Sequence, residues 1–286
     1  MPKHSPSNSL VRGADCLQGL ARGLAVLKAL NASPAGATIA WVARQVSTTR
    51  AGARRILLTL LELGYVRQDG HLFILTSKVL ELGVSAAEAE SMWDVVDSGL
   101  AALVEETGET ASAAVLEGHE ILYVARRNPS RPIHFAIRPG SRFPAHATSL
   151  GWALLAELPD KTLAKYLARG RFEKLGAGTV TDPQVLRGAL EAVRQDGHAY
   201  VEAGIDDRIC GIAVPLLDPL GQAVAAINIG TRLERYDRAR TMAELLPALL
   251  AAKNAIESRL RSFSPRGKPL RSKASYAVVA GVVPLQ

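Results

Sequence analysis

Residues 38–73 read TIAWVARQVSTTRAGARRILLTLLELGYVRQDGHLF, and this stretch decides the fold of the first part of the chain. Thr38 can accept a hydrogen bond at a helix N-terminus, and the helical pattern that follows it covers 39–46. A short polar turn leads to a second helical pattern, whose apolar residues and arginines lie on opposite faces. Two helices joined by a tight turn are typical of a helix-turn-helix, in which the second helix reads the DNA major groove.

A hairpin is predicted directly after the second helix. Gly64 stands where a helix end often needs a positive φ. Two strand-like runs, 65–67 and 72–75, flank a turn that contains Asp69-Gly70, a common hairpin signal. The order helix, turn, helix and hairpin predicts a winged helix-turn-helix.

The DNA-contacting residues are predicted from this order. An arginine can bond guanine through two hydrogen bonds, and hydroxyl groups at a helix N-terminus can hold a phosphate. A solvated helix face would explain isolated arginines equally well, and Arg55 could instead pair with Glu62 or pack its stem. The predicted set is Arg44, Ser47, Thr48, Thr49, Arg50, Arg54, Arg55 and His71.

Composition limits the class of protein. The chain has 286 residues, enough for two domains, and its 48% hydrophobic content is that of a globular protein. Cys16 and Cys210 are too few for a disulfide framework and lack the spacing of a zinc site. No apolar run approaches the length of a membrane span and no signal peptide is evident, so we expect a cytoplasmic protein without a membrane partner.

Charge is distributed unevenly along the chain. Residues 1–85 carry a net charge of +6, residues 86–258 carry −5, and residues 259–286 carry +6. A basic front and tail around an acidic middle suit a chain in which one domain meets phosphate and another has a different task.

The chain divides where periodicity and composition change. A first helix is predicted over 18–30, ahead of the helix-turn-helix. The predicted segments are a flexible arm (1–15), the winged helix-turn-helix domain (16–76), a linker helix (77–91), a second domain (92–261) and a basic, disordered tail (262–286).

The second domain mixes strand and helix patterns, which predicts a sheet with helices on its faces. Strands are predicted at 109–118, 120–127, 133–137, 198–201, 210–217 and 223–229, with a turn at 218–221. Helices are predicted at 149–158, 160–167, 182–195 and 237–261.

Several motifs occur in the same order as in a known family. They are LARGLAVL (20–27), ARR (53–55), LGYV (63–66), PGSRFPAHATSLG (139–151), IAVP (212–215) and AAIN (225–228). With these motifs the chain resembles the IclR family of bacterial transcriptional regulators over about residues 18–260. The form RFPA-x-ATS-x-G is similar to the subgroup that controls aromatic-acid breakdown through the β-ketoadipate route, including protocatechuate and 4-hydroxybenzoate regulators.

The resemblance implies an α+β fold with an N-terminal winged helix-turn-helix, a linker helix and a C-terminal GAF-like effector-binding domain. It also implies dimers through the DNA-binding part and tetramers through the effector domains. The chain departs from the family at three positions. Ser47 stands where glycine is usual, Thr48 where an apolar residue is usual, and Gly52 where alanine is usual.

The resemblance also points to an effector site at one helix N-terminus and two strand ends. A helix N-terminus attracts a carboxylate, and Asn228 in an apolar run either bonds to backbone or faces a cavity. Arg138 and Arg142 would pair with an organic acid or form surface ion pairs, and Glu202 would bond a ligand hydroxyl. Gly151 is better explained by backbone geometry than by ligand contact. The predicted set is Arg138, Arg142, Thr148, Ser149, Leu150, Gly151, Glu202, Cys210, Gly211, Asn228 and Gly230.

No catalytic motif is present, and neither a cofactor nor a metal site is predicted. His146 and Cys210 are a remote possibility as a nucleophile pair. The first hypothesis is a homo-oligomeric transcription regulator that binds a palindromic operator and responds to an aromatic or related carboxylic acid. The alternative is a carboxylate-binding or hydrolytic domain that binds nucleic acid only nonspecifically.

Overall fold

The computed structural model describes residues 17–82, 92–129, 137–218 and 221–262. These residues form two compact units, and the boundary between the units falls between residues 82 and 92 of the sequence. Some predictions lie outside these residues. They are the arm at 1–15, the linker helix beyond residue 82, nearly all of the strand at 133–137, the middle of the turn at 218–221, and the tail beyond residue 262.

The N-terminal unit is a three-helix domain with a hairpin. Its elements are α1 (Gln18–Asn31), α2 (Ile39–Gln45), α3 (Arg50–Glu62), β1 (Val66–Asp69), β2 (Leu72–Leu75) and a 3-10 helix (Ser77–Leu82). The hairpin strands are antiparallel, and Val66 pairs with Leu75. Leu57 on α3 is fully buried between the three helices, and Leu60 is nearly so. The apolar stripe of α3 therefore builds the core, as its periodicity predicts.

Threonine side chains cap both helices of the helix-turn-helix. The Thr38 hydroxyl accepts a hydrogen bond from the backbone N–H of Trp41 at 3.3 Å. Thr49 accepts one from the backbone N–H of Gly52 at 3.0 Å. Each cap satisfies a backbone donor that has no partner within the helix, so the start of each helix is set by local sequence.

The turn between α2 and α3 requires a left-handed residue. Ser47 has a φ of +50°, which explains why a glycine is usual there in the family that the chain resembles. The other two departures compensate one another. A Cβ built at Gly52 would lie 2.8 Å from Oγ1 of Thr48, so the polar Thr48 side chain needs the space that an alanine at position 52 would take.

Replacing Ser47 by glycine should stabilise the N-terminal unit by about 1 kcal/mol, because glycine adopts a positive φ without steric cost. The measurement is hydrogen exchange of the α3 amides, which reports the free energy of opening this unit. Ser47→Ala is the control, since it removes the hydroxyl and keeps the strained φ. Equal stability of the two variants would show that backbone strain at this position is negligible.

The second unit is built on a six-stranded antiparallel sheet of order β5-β4-β3-β8-β7-β6. Its strands are β3 (Thr110–Glu117), β4 (Glu120–Arg127), β5 (Arg142–Pro144), β6 (Ala199–Glu202), β7 (Ile209–Leu217) and β8 (Ala223–Arg232). Its helices are α4 (Met92–Thr107), α5 (Ser149–Ala156), α6 (Asp160–Arg169), α7 (Pro183–Asp196), α8 (Arg238–Arg240) and α9 (Leu246–Ser262).

The helices cover both faces of the sheet. One core joins α4 and α9 to one face, and a second core joins α5, α6 and α7 to the other. Strand β8 shows how the two faces are assigned, because successive side chains on a strand point to opposite sides. Ile227 and Ile229 belong to the α4–α9 core, whereas Ala226 belongs to the α5 side. Asn228 and Gly230 therefore lie on the α5 side as well.

The structure differs from the sequence prediction in a few elements. Strand β5 was not predicted, and β8 extends to Arg232. The final predicted helix is interrupted, since a π-helical turn (Thr241–Leu245) separates α8 from α9. The linker segment begins as a 3-10 helix over the residues described. In the described parts of the chain, no helix is both long and apolar enough to span a membrane.

Candidate functional site

A cavity of about 360 Å³ lies on the α5 side of the sheet, against β3, β4, β7 and β8. Six of the eleven predicted effector residues line it. They are Thr148, Ser149, Cys210, Gly211, Asn228 and Gly230. Sequence reasoning missed the others, which are Glu109, Thr110, Ser112, Tyr123, Arg126, Ile137, Ala147, Val201, Gly204, Ile205, Ile209, Thr231, Arg232 and Arg235.

A polar row crosses the floor of the cavity. Arg126 on β4 pairs in register with Ser112 on β3, and Ser112 pairs with Asn228 on β8. The three side chains thus lie side by side on neighbouring strands. Asn228 is only 9% exposed, and its Oδ1 has no hydrogen-bond partner among the described residues. A buried amide oxygen without a partner is costly, and only a hydrogen-bond donor could satisfy it.

Arg126 is the cation of this row. Its Nη1 donates to Oγ of Ser112 at 3.2 Å, and its Nε donates to Oδ1 of Asn128 at 3.1 Å. No carboxylate among the described residues forms an ion pair with it. Burial lowers the pKa of Arg126, although an arginine stays charged at neutral pH. The cavity therefore holds a half-buried positive charge without a carboxylate counterion in the part of the chain that the structure describes.

The N-terminus of α5 closes one side of the cavity. The hydroxyl of Thr148 caps the helix by accepting from the N–H of Gly151 at 2.9 Å. Ser149, the first residue of the helix, comes down onto the sheet at Gly211. A Cβ built at Gly211 would lie 2.6 Å from the Ser149 hydroxyl and 3.6 Å from Nδ2 of Asn228. Helix dipole and hydroxyl groups thus converge on the polar row, which favours an anion there.

Another part of the lining carries a buried carboxylate. Glu109 is 2% exposed, and one of its oxygens lies 3.0 Å from Nη2 of Arg235. Burial raises the pKa of Tyr123 to about 12, so its phenol stays protonated at neutral pH. The lining therefore offers hydroxyl groups as well as charge.

The loop after β6 forms a further wall. Gly204 and Ile205 line the cavity, and a Cβ at Gly204 would lie 2.2 Å from the carbonyl oxygen of Ala147. The buried Thr179 hydroxyl donates to the carbonyl oxygen of Gly204 at 2.6 Å. This hydrogen bond and the close backbone contact hold the loop against the start of α5.

Three predicted charged residues do not reach the cavity. Arg142 lies on β5 and forms an ion pair with Glu117. Arg138 is exposed, with its backbone N–H bonded to Ser141. Glu202 is exposed and accepts a hydrogen bond from the Tyr200 hydroxyl at 2.6 Å.

Two further predicted residues serve packing. Leu150 is fully buried in the core on the α5 side. A Cβ at Gly151 would lie 2.0 Å from the backbone oxygen of Ala145, so only glycine fits there. Both residues support the helix N-terminus without lining the cavity.

His146 and Cys210 are not arranged as a nucleophile pair. Nε2 of His146 lies 3.0 Å from the carbonyl oxygen of Glu173, while the Cys210 thiol donates to the carbonyl oxygen of Tyr236. Burial raises the pKa of the Cys210 thiol and lowers that of His146. Within the residues that the structure describes, no three His, Cys, Asp or Glu side chains cluster as a metal site would need.

The N-terminal unit presents its arginines to solvent. Arg44, Arg50, Arg54 and Arg55 are exposed, and none forms an ion pair with a described residue. A shallow depression of about 430 Å³ lies between the starts of α2 and α3 and the hairpin. Its lining includes Arg50, Arg54 and His71. Ser47 and Thr49 are exposed at the turn, and Thr48 is half-buried. The fold thus brings together residues from the recognition helix and the wing.

Sequence comparison assigns both units to one family. Residues 19–70 match the IclR helix-turn-helix domain, and residues 85–258 match the bacterial transcriptional regulator IclR C-terminal domain. The chain is 36% identical over 239 residues to the Pca regulon regulatory protein of Pseudomonas putida, covering 83% of this chain and 82% of that one. It is 32% identical over 260 residues to the p-hydroxybenzoate hydroxylase transcriptional activator of Acinetobacter baylyi, covering 89% and 96%.

A solved structure shows the same fold with a ligand. It is an IclR homologue from Microbacterium hydrocarbonoxydans complexed with 4-hydroxybenzoate, with a TM-score of 0.76 and 26% identity, covering 86% of this chain and 100% of that one. Family models cover both the DNA-binding and the effector-binding part, and the relatives are regulators, not enzymes. The chain therefore belongs to the IclR family of bacterial transcriptional regulators.

Proposed function

We propose that this regulator binds a hydroxylated aromatic carboxylic acid in the cavity of its second unit and controls genes for the breakdown of that acid. The observation that carries the proposal is Arg126, a half-buried cation in the cavity with no carboxylate partner among the residues that the structure describes. A carboxylate would satisfy this cation, and charge-assisted hydrogen bonds are the strongest that a buried site can offer. The 4-hydroxybenzoate bound to the Microbacterium homologue supports this class of ligand.

For DNA recognition, we propose that Arg50 and Arg54 contact base edges. They lie four residues apart on the exposed face of α3, the spacing that brings two side chains to one side of a helix. Thr48 and Thr49, with the α3 N-terminus, would hold a phosphate. The supporting contacts to the DNA backbone are assigned to Arg44, Ser47, Arg55 and His71.

The N-terminal unit also offers a surface for self-association. Leu17, Leu20 and Leu24 are 76%, 63% and 49% exposed, and their spacing places them on one side of α1. An exposed apolar stripe of this kind suits a second copy of the same helix. A symmetric dimer would present two recognition helices, so we expect it to bind a palindromic operator. We expect the regulator to act in the cytoplasm.

The alternative of a hydrolytic domain with nonspecific nucleic-acid binding is not favoured. The relatives that match nearly the full chain are regulators. The thiol of Cys210 is protonated and donates to a backbone carbonyl, so it is a poor nucleophile. Effector binding would act by stabilising one conformation of the second unit over another, which is how a ligand shifts a regulator between states.

Replacing Arg126 by glutamine should weaken the binding of 4-hydroxybenzoate about 10- to 100-fold, because a charge-assisted hydrogen bond to the carboxylate is lost. Isothermal titration calorimetry gives the dissociation constant. The neutral analogue 4-hydroxybenzamide should bind both proteins with similar affinity, since it carries no charge for the arginine.

Arg127→Gln is the matched control, because Arg127 follows directly in sequence but pairs with Asp97 on α4. It should bind 4-hydroxybenzoate with the affinity of the wild type. If Arg126→Gln and Arg127→Gln bound the acid equally well, Arg126 would have no part in holding the carboxylate.

Replacing Arg54 by alanine should reduce specific affinity for DNA from the region upstream of the chain's own gene about 10- to 100-fold, the usual cost of losing a base contact. A gel shift with excess random DNA measures the specific part of binding. Lys28→Ala removes the same charge from the exposed side of α1 and should change affinity less than about twofold. Similar losses in the two variants would reduce the role of Arg54 to nonspecific charge.

A further inference from the structure

Two glycines face each other in the floor of the cavity. Gly211 on β7 and Gly230 on β8 are a register pair, and Thr110 on β3 pairs with Gly230 from the other side. Together they form a second row across the sheet, two residues along each strand from the polar row that contains Asn228. The space above these two glycines is used differently.

The space above Gly211 is taken by the protein itself. A Cβ built at Gly211 would lie only 2.6 Å from the Ser149 hydroxyl oxygen. Glycine at this position therefore lets the start of α5 approach the sheet. That is a common reason for a glycine inside a strand, since it allows a close approach of another part of the chain.

The space above Gly230 is empty. The nearest atom to a Cβ built there, outside the adjoining residues, is Nδ2 of Asn228 at 4.0 Å, an ordinary contact distance. The backbone of Gly230 has no positive φ, and its register with β3 and β7 is regular at this point. Neither a turn, nor a bulge, nor a close backbone contact requires glycine here. Glycine within a strand lowers the stability of the fold relative to alanine, so the glycine at position 230 needs another reason.

We propose that Gly230 is a specificity-determining residue that keeps open the space into which the ring of the effector fits. This inference rests on the proposed function, because it takes an aromatic carboxylate as the ligand. With the carboxylate on the polar row of Arg126 and Asn228, the ring extends along β8 by about the spacing of two strand residues, roughly 7 Å, and so reaches Gly230. A methyl group at this position would overlap with the space that the ring occupies.

The proposal is tested with Gly230→Ala in the full chain, using 4-hydroxybenzoate as the probe. Without ligand, the variant should melt at the temperature of the wild type or slightly above it, because the added Cβ meets no closer atom and alanine suits a strand better. Its dissociation constant for 4-hydroxybenzoate should rise about tenfold or more, as expected when a methyl group overpacks a fitted site. Gly211→Ala, in contrast, should lower the melting temperature without ligand.

The outcomes separate this inference from the proposed function. If the wild type bound neither 4-hydroxybenzoate nor benzoate, the ligand class would be wrong and the inference would fall with it. If the wild type bound the acid and Gly230→Ala bound it equally well, only the inference would fail. A large loss of stability in ligand-free Gly230→Ala would also overturn it, since the space above Gly230 would then not be free.

Discussion

The central position of β8, hydrogen-bonded to β3 on one side and to β7 on the other, is the constraint on which the effector site depends. Side chains alternate along a strand, so the register that buries Ile227 and Ile229 against α4 and α9 also turns Asn228 toward the cavity. A slip of one residue would put the amide into an apolar core and the isoleucines into the cavity. The packing of the large apolar core thus fixes the orientation of the small polar site, because one strand register sets both.

Local signals predicted much of the fold, and non-local pairing decided the part that was missed. The two caps by Thr38 and Thr49 and the apolar stripe of α3 depend on residues within one or two helical turns, so the sequence shows them directly. Arg126 is different. It faces the cavity because of its pairing with Ser112, in a ladder whose register shifts between Ala113 and Ala114. No pattern within β4 alone distinguishes it from Arg127.

The effector residues that the resemblance indicated lie at the cavity where they belong to central elements of the sheet, and away from it where they belong to its edge. Ser149 and Asn228 line the cavity because α5 and β8 are central elements. Arg142 lies on the short strand β5, which the sequence pattern did not predict. There it forms an ion pair with Glu117 on β3 and does not line the cavity. In the turn before α3, Thr48 and Gly52 depart from the family together, and the structure shows that they share one space. A comparison of one position at a time counts these as two separate departures from the family. The packing shows that they are coupled, because Gly52 leaves the space that the Thr48 side chain fills.

The positive charge in the cavity is costly, and a bound anion would offset this cost. Burial disfavours the charged form of Arg126. A carboxylate bound to Arg126, as proposed, would offset this cost and so stabilise β4. The next residue on β4, Arg127, reaches to the opposite side of the sheet and pairs with Asp97 on α4. This helix is the first described element after the DNA-binding unit along the chain. Arg126, which we propose to hold the effector, and Arg127, which pairs with α4, are adjacent on β4. This strand therefore connects the proposed site to the helix that is nearest in sequence to the DNA-binding unit.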